Sequence, residues 1–141
     1  MLDHFGLDQV TLLGISLGGG LAIRAAAGEP RIARVISDDI LTDFLACNLR
    51  QFPASARADA ALLAGAEDHY VPLSQLADQI STLAAARSVT ARVFARDAQA
   101  QNHVQADNIA LSVQVILGWL DSIDRRDSQP GLTLLSWSTG K

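Results

Sequence analysis

Four short apolar runs recur along the chain, and each has the length and composition of a buried β-strand. Longer stretches separate them, and these are rich in alanine or carry apolar residues at helical spacing. The predicted strands are Val10–Ile15, 34–37, 60–64 and Ser88–Phe94, and the predicted helices are 17–27, 38–52, 72–86 and 108–123.

The alternation of strand and helix predicts the fold class. Consecutive strands joined by a helix lie parallel in one sheet, with the helices covering its faces. We therefore predict an α/β fold with about four parallel strands and flanking helices, formed by residues 1–124. Residues 125–141 are polar, with several serines and a Pro-Gly pair, and are predicted to form a flexible tail.

Composition and charge limit the cellular compartments and the classes of partner that we expect for this chain. The 141 residues are 49% apolar and 18% charged, which is typical of one globular domain. The net charge is −4 and no basic block stands out, which argues against nucleic acid or an anionic membrane as the main partner. Cys47 is the single cysteine, so no internal disulfide forms, and we find neither a signal peptide nor a membrane span. We expect a soluble, cytoplasmic protein.

A serine flanked by glycines is the first candidate for chemistry. Ser16 lies between the first predicted strand and the first predicted helix, inside the G-x-S-x-G pattern that runs from Gly14 to Gly18. We expect both glycines to be needed, because a side chain at either would collide with backbone in so sharp a turn. The serine would be strained, with its hydroxyl in the open, and the Leu17 N–H would stabilise an oxyanion.

The same turn has two other interpretations: a plain glycine-rich connection, or an anion-binding helix N-terminus. A phosphate-binding P-loop would carry a lysine after its glycines, whereas Leu21 stands there. The glycine spacing of a dinucleotide-binding turn is also absent. We therefore expect no cofactor and no metal.

A catalytic serine needs a base. Of the three histidines, His103 follows the fourth predicted strand, and ligands of open α/β sheets bind beyond the carboxyl ends of the strands. His4 precedes the serine at the end of a predicted helix, and His69 adjoins the best acid candidate in sequence. We therefore predict His103 as the base, the alternative being a solvated loop histidine.

The base in turn needs an acid that orients it. Asp68 follows the third predicted strand and is the candidate. Asp38 or Asp39, after the second predicted strand, is an alternative, since a carboxylate from that neighbouring loop could also reach the histidine. This pair could equally cap the helix that follows it.

The chain order Ser16, Asp68, His103 matches that of the α/β-hydrolase fold, and the sequence resembles this superfamily over about residues 1–123. The resemblance rests on the stretches GISLGG, LLAGAEDHYVP and QNHVQADNIALSVQVILGWL. The last two are also similar to a bacterial subgroup that includes pseudo-oxynicotine hydrolase-like enzymes. The resemblance implies a Ser16–His103–Asp68 triad with the Leu17 N–H in the oxyanion hole. It also implies a serine hydrolase that acts on an ester, amide or related acyl substrate.

The sequence departs from the superfamily before its first predicted strand. The family builds several strands there and takes its second oxyanion donor from one of their loops. It also often inserts a cap where only residues 41–59 stand here. We therefore expect the C-terminal half of a hydrolase, impaired by truncation, whose first strand is an exposed sheet edge. We expect that edge to pair with a second copy of the chain or with the missing N-terminal half, or else to make the chain poorly soluble. The alternative function is a non-catalytic hydrolase remnant or interaction module.

Overall fold

The computed structural model describes residues 1–39 and 57–128, and within these ranges strands alternate with helices. In chain order the elements are α1 (Leu2–Phe5), β1 (Val10–Ile15), α2 (Leu17–Gly28), β2 (Ile32–Asp38), β3 (Asp59–Gly65), α3 (Ser74–Thr82), β4 (Ser88–Phe94) and α4 (Ile109–Ser128). Two short 3₁₀ turns, Arg96–Ala98 and His103–Gln105, connect β4 to α4.

The strands form one parallel sheet in the order β1-β2-β3-β4, which confirms the predicted fold class. Their carboxyl ends lie side by side, because Ile15 is in register with Asp38, Asp38 with Leu63, and Gly65 with Phe94. The loops that follow the strands therefore all begin at the same end of the sheet, where the carboxyl ends of the strands lie. The predicted site residues lie in these loops.

Alternating side chains divide the core between the two faces of the sheet, as the period of two in a strand requires. On one face Val35, Ala60 and Leu62 pack with residues of α2 and α3. On the other face Ile36, Leu63 and Phe94 pack with the apolar side of α4. The central strand β3 is buried over its whole length, which explains why its sequence is a continuous apolar run.

The element boundaries differ from the predictions mainly at helix ends. Helix α3 is shorter than the predicted 72–86, whereas α4 continues past residue 123 to Ser128 and takes in the first residues of the predicted tail. Residues 40–52 of the predicted helix at 38–52, Cys47 among them, and residues 129–141 lie outside the described residues. The prediction that this helix begins at Asp38 was wrong, because Asp38 is the last residue of β2 and pairs with Leu63 of β3. In the described ranges, no helix is long and apolar enough to cross a lipid bilayer.

Strand β1 has a free outer edge in the part of the chain that the structure describes. Leu13 and Ile15 are 48% and 53% exposed, although Ile36, which is in register with Leu13 on the neighbouring strand, is 2% exposed. The difference arises because α4 packs over β2, β3 and β4 and leaves the same face of β1 uncovered. The free edge and the apolar face together form an open surface beside Ser16.

The buried carboxylate of Asp59 links helix α4 to the amino end of strand β3. Asp59, whose side chain is fully buried at the start of β3, accepts hydrogen bonds from Arg126 of α4 at 2.9 and 3.0 Å. Arg87 donates to it at 2.8 Å and the Ser88 hydroxyl at 2.5 Å. Burial by itself would raise the pKa of Asp59, but the hydrogen bonds from Arg126, Arg87 and Ser88 outweigh it and hold the pKa below its usual range. This network explains why α4 continues beyond its predicted end.

We expect Asp59→Asn to lower the free energy of unfolding by about 2–3 kcal/mol at pH 7, because it removes the charge that Arg87 and Arg126 share. A carboxyl with a lowered pKa contributes stability above its unfolded pKa of about 4, and this contribution is lost as the pH falls through the folded value. The gap between wild type and Asp59→Asn should therefore narrow below pH 4 in urea titrations. The exposed Asp78→Asn serves as the control and should leave stability unchanged. A gap that stays constant from pH 7 to pH 2 would contradict this assignment.

Candidate active site

Ser16 occupies a strained turn between β1 and α2. Its φ of 54° and ψ of −120° place it in a region that residues with a side chain rarely adopt. The turn is fixed on both sides, since the Ser16 N–H donates to the Asp38 carbonyl at 2.8 Å and the Ser16 carbonyl accepts from Gly19 N–H at 3.0 Å. The strain predicted for this serine is therefore present. Leu17 begins α2, so its N–H belongs to the first helical turn, which has no acceptor within the helix.

Only one of the two motif glycines is sterically required. A Cβ at Gly14 would lie 2.1 Å from the carbonyl oxygen of Gly18, a distance that no real contact allows. A Cβ at Gly18 would meet nothing within 4 Å, so the prediction that both glycines are needed was wrong for this one. The reason is its position: Gly18 borders an apolar groove of about 390 Å³ that runs along the free edge of β1.

The structure brings Ser16, His103 and Asp68 together in one line of hydrogen bonds. His103 Nε2 lies 3.2 Å from Ser16 Oγ, and His103 Nδ1 lies 2.6 Å from Asp68 Oδ2. Each residue comes from a loop at the carboxyl end of a different strand, namely β1, β4 and β3. These residues are far apart in sequence, and the parallel register of the sheet brings their loops together in space.

The orientation of Asp68 determines what the imidazole can do. The Asp68 side chain is fully buried, and its Oδ1 accepts from the N–H groups of Tyr70 and Val71 at 2.7 and 3.0 Å. The other oxygen, Oδ2, faces His103 Nδ1. A carboxylate accepts hydrogen bonds, so the tautomer of a neutral imidazole that fits these contacts has its proton on Nδ1 and its Nε2 lone pair towards the serine hydroxyl. The arrangement can therefore take a proton from Ser16.

Asp38 and Asp39, the alternative acids, make no hydrogen bond to the ring of His103. Asp39 is 1% exposed, and its two oxygens accept from Gly65 N–H at 2.9 Å, from Val104 N–H, and from Gln105 Nε2 at 2.7 Å. Sequence reasoning placed Asp39 near the site but missed these bonds to the neighbouring loops. Its position directly after a buried strand was the available signal.

The two adjacent carboxyls are both hard to ionise. Burial raises the pKa of Asp38 to about 7, and the neighbouring Asp39 adds to this, while His103 opposes it. One Asp38 oxygen is buried with no hydrogen-bond partner, which agrees with a carboxyl that is easily protonated. Burial also raises the pKa of Asp39, although the N–H groups of Gly65 and Val104 favour its charged form. Asp38 and Asp39 carry the same chemical group as Asp68, so these acids differ only in their burial and in the hydrogen-bond donors around them.

The side chains of Asp39, Asp68 and His103 lie close enough together to suggest a metal site, with ligand atoms within 4.8 Å of one another. Their hydrogen bonds speak against it. Every carboxylate oxygen of the two aspartates already accepts from an N–H group or faces the imidazole. The donor set is therefore arranged for N–H groups and does not fit a cation.

In the described part of the chain, neither of the other two histidines is hydrogen-bonded to the serine hydroxyl. His4 is in α1 with its ring against Phe5. His69 packs on Tyr70, with 4.0 Å between ring centroids, and Tyr70 in turn lies edge-on to His103 at 5.1 Å. The Tyr70 contact was not predicted. It places an exposed aromatic ring at the mouth of the site.

Comparison with solved structures identifies the architecture. A protein from Thermoplasma acidophilum described as a predicted CIB-like hydrolase superposes with a TM-score of 0.66 and 20% identity, over 84% of this chain and 54% of its own. The esterase Pf2001 of Pyrococcus furiosus gives 0.64 and 15% over the same shares, and esterase B of Lactobacillus rhamnosis gives 0.61 and 20% over 88% and 56%. The chain has part of an α/β-hydrolase fold.

This partial α/β-hydrolase fold spans just over half the length of the structures that it matches. At these identities the likeness establishes the fold and leaves activity to be argued from the site. No protein-family model matches the sequence, and a search of the curated proteins also found no match.

The two motif glycines give a direct test of the turn. We expect Gly14→Ala to destabilise the protein by about 3 kcal/mol or more, because its Cβ would overlap the backbone of Gly18. Gly18→Ala should be neutral or up to about 1 kcal/mol stabilising, because the space is open and alanine favours the helix. Urea unfolding of both variants measures this. Equal losses for the two would show that the α/β-hydrolase turn is built differently.

Proposed function

We propose that the chain is a serine hydrolase that cleaves esters, amides or related acyl compounds through a Ser16 acyl intermediate. The single observation that carries this proposal is the line of hydrogen bonds from Ser16 Oγ to His103 and on to Asp68. A buried carboxylate, a half-buried imidazole and a strained serine hydroxyl are the three groups that nucleophilic acyl transfer requires.

In the first half of the reaction the Ser16 oxygen forms a bond to the carbonyl carbon of the substrate. His103 Nε2 takes the hydroxyl proton, and the Asp68 carboxylate stabilises the resulting imidazolium through Nδ1. The carbonyl oxygen becomes an oxyanion, and the Leu17 N–H at the start of α2 is the donor that we assign to it. The imidazolium then gives its proton to the leaving group, whose bond to the carbon breaks.

In the second half a water molecule attacks the acyl group on Ser16. His103 removes a proton from that water and returns one to the serine oxygen as the acid product leaves, so the free hydroxyl is restored. The strained turn at Ser16 helps both halves, because it keeps the oxygen at the carboxyl edge of the sheet while α2 and β1 stay packed.

The surroundings of Ser16 favour apolar substrates. Ile15, Leu17 and Tyr70 expose 53%, 39% and 61% of their surface around the serine and histidine. Two of the solved structures with this fold are named esterases. Simple esters with an alkyl or aryl group are therefore the substrates that we would test first.

A fluorophosphonate probe tests the proposal, because it reacts only with a serine that a neighbouring base activates. We expect labelling of the wild-type chain, no labelling of Ser16→Ala, and a labelling rate lower by about three orders of magnitude in His103→Gln. Turnover of p-nitrophenyl acetate should fall in parallel. Mass spectrometry of the labelled peptide locates the modified residue.

Two matched controls accompany these variants. Ser81→Ala removes an exposed hydroxyl from α3, and His4→Gln removes a histidine from α1; both should label as the wild type does. A folded wild-type chain that the probe leaves unlabelled would overturn the proposal. So would labelling that survives Ser16→Ala.

The free edge of β1 supports a second proposal: the chain acts within an assembly, and a strand of another polypeptide pairs with β1. The unpaired backbone of β1 and the exposed Leu13 and Ile15 form a template for such pairing. A second copy of the chain is the partner that we propose, because two identical edges can pair antiparallel about a twofold axis. This role would stand even for a chain without catalytic activity.

Sedimentation velocity tests the assembly. We expect a dimer for the wild type and a monomer for Leu13→Lys, since lysine on an edge strand opposes pairing. Leu73→Lys, at an exposed leucine just before α3, should remain a dimer. A wild-type chain that stays monomeric and melts cooperatively would refute this proposal. A monomer that melts without cooperativity would favour a different polypeptide as the partner in place of a second copy.

A further inference from the structure

We propose that Asp39 is a positioning residue that locks the loops of the base and the acid together. This inference rests on the proposed hydrolase function, because it assigns Asp39 a role in the reaction of the same site. Asp39 touches neither the ring of His103 nor Ser16 in the described hydrogen bonds, so it acts through its neighbours.

The contacts of Asp39 reach both loops at once. Its Oδ1 accepts from the N–H of Gly65, the last residue of β3, three positions before Asp68. Its Oδ2 accepts from the N–H of Val104 and from the side chain of Gln105 at 2.7 Å, directly after His103. One carboxylate therefore fixes the start of the acid loop and the residues that follow the base.

The backbone of the base loop needs such a partner. Val104 and Gln105 have φ values of 50° and 48°, and Asp39 itself has a φ of 48°. Left-handed backbone is strained for a residue with a side chain, and a β-branched residue such as Val104 is rarely found there. Hydrogen bonds from this turn to the buried carboxyl of Asp39 offset the cost of this strain, because the donors at Val104 and Gln105 would otherwise be buried without a partner.

Burial makes the arrangement specific. Asp39 and Gln105 are 1% and 0% exposed, so water does not replace their mutual hydrogen bond. Both oxygens of Asp39 accept from N–H donors, and neither is hydrogen-bonded to the imidazole of His103. The two nearby acids thus have different roles. Asp68 bonds to the ring of His103, whereas Asp39 bonds to the backbone directly after His103.

The consequence concerns the 3.2 Å contact between His103 Nε2 and Ser16 Oγ. A shift of about 1 Å in the position of a catalytic group can cost about 100-fold in rate. Loosening the 103–105 turn would therefore lower kcat while leaving the apolar surface that binds substrate intact. A residue needed only for folding would not separate these two quantities.

Asp39→Asn is the sharpest test. The amide keeps an oxygen for Gly65 N–H but presents an NH₂ group to Val104 N–H, which loses its acceptor. Gln105 can turn its amide so that its buried, unpartnered Oε1 accepts from the new NH₂ group. The loss is thereby concentrated on the turn beside His103. We expect kcat for p-nitrophenyl acetate to fall about 10–100-fold with KM within about twofold of wild type.

A second readout does not depend on activity. In ¹H NMR spectra of the wild type, the proton on His103 Nδ1 should give a downfield signal, because it lies in a 2.6 Å bond to Asp68. We expect this signal to broaden or disappear in Asp39→Asn. If the wild type shows no hydrolysis and no labelled serine, the proposed function fails. In that case the downfield signal alone tests whether Asp39 positions His103.

Two further variants complete the experiment. Asp38→Asn removes a buried carboxyl from the same neighbourhood without touching either loop bond, so it should cost clearly less in kcat than Asp39→Asn. Gln105→Met keeps the volume but removes one bond to Asp39, so a smaller loss with the same KM is expected, and it stands in if Asp39→Asn does not fold. Folded variants of Asp39 or Gln105 with wild-type kcat and an unchanged downfield signal would overturn the proposal.

Discussion

The parallel register of the sheet is the constraint on which the site depends. Because neighbouring strands end side by side, loops that are far apart in sequence begin within a few residues of one edge. Ser16, Asp68 and His103 follow three different strands, and no helix or local turn could unite them. The apolar packing on both faces of β3 therefore supports the geometry of the candidate site as directly as it supports the fold.

Strained backbone at the site is offset by buried hydrogen bonds. Left-handed φ values occur at Ser16, Asp39, Val104 and Gln105, all at the carboxyl edge of the sheet. Each belongs to a turn whose backbone or side-chain polar groups are paired inside the protein, with Asp38 and Asp39 among the acceptors. The hydrogen-bonded groups that offset this strain also position the serine and the histidine. A substitution that changes the geometry of the site is therefore expected to change the stability of the fold as well.

The candidate site could be predicted from the sequence where strand order determined its place. The hydrophobic pattern and the G-x-S-x-G motif predict that Ser16, Asp68 and His103 follow three different strands, and in the structure their side chains are hydrogen-bonded to one another. The freedom at Gly18 was not predictable, because it depends on the open space beside β1 and not on the turn itself. The bonds of Asp39 depend on how two distant loops meet. The bonds from Arg126 to Asp59 join segments that are far apart in sequence, and no local pattern records such a contact.

The serine is the least enclosed member of the site, and this has a physical consequence. Asp68 and Asp39 lie over the central strands, whereas Ser16 ends the edge strand β1, beside exposed Leu13 and Ile15. Electrostatic stabilisation of an oxyanion is strongest where water is excluded, and one missing donor costs roughly 100- to 1,000-fold in rate. Leu17 N–H is the donor assigned among the described residues. A polypeptide that pairs with β1, as we propose, would exclude water from this open side of the serine.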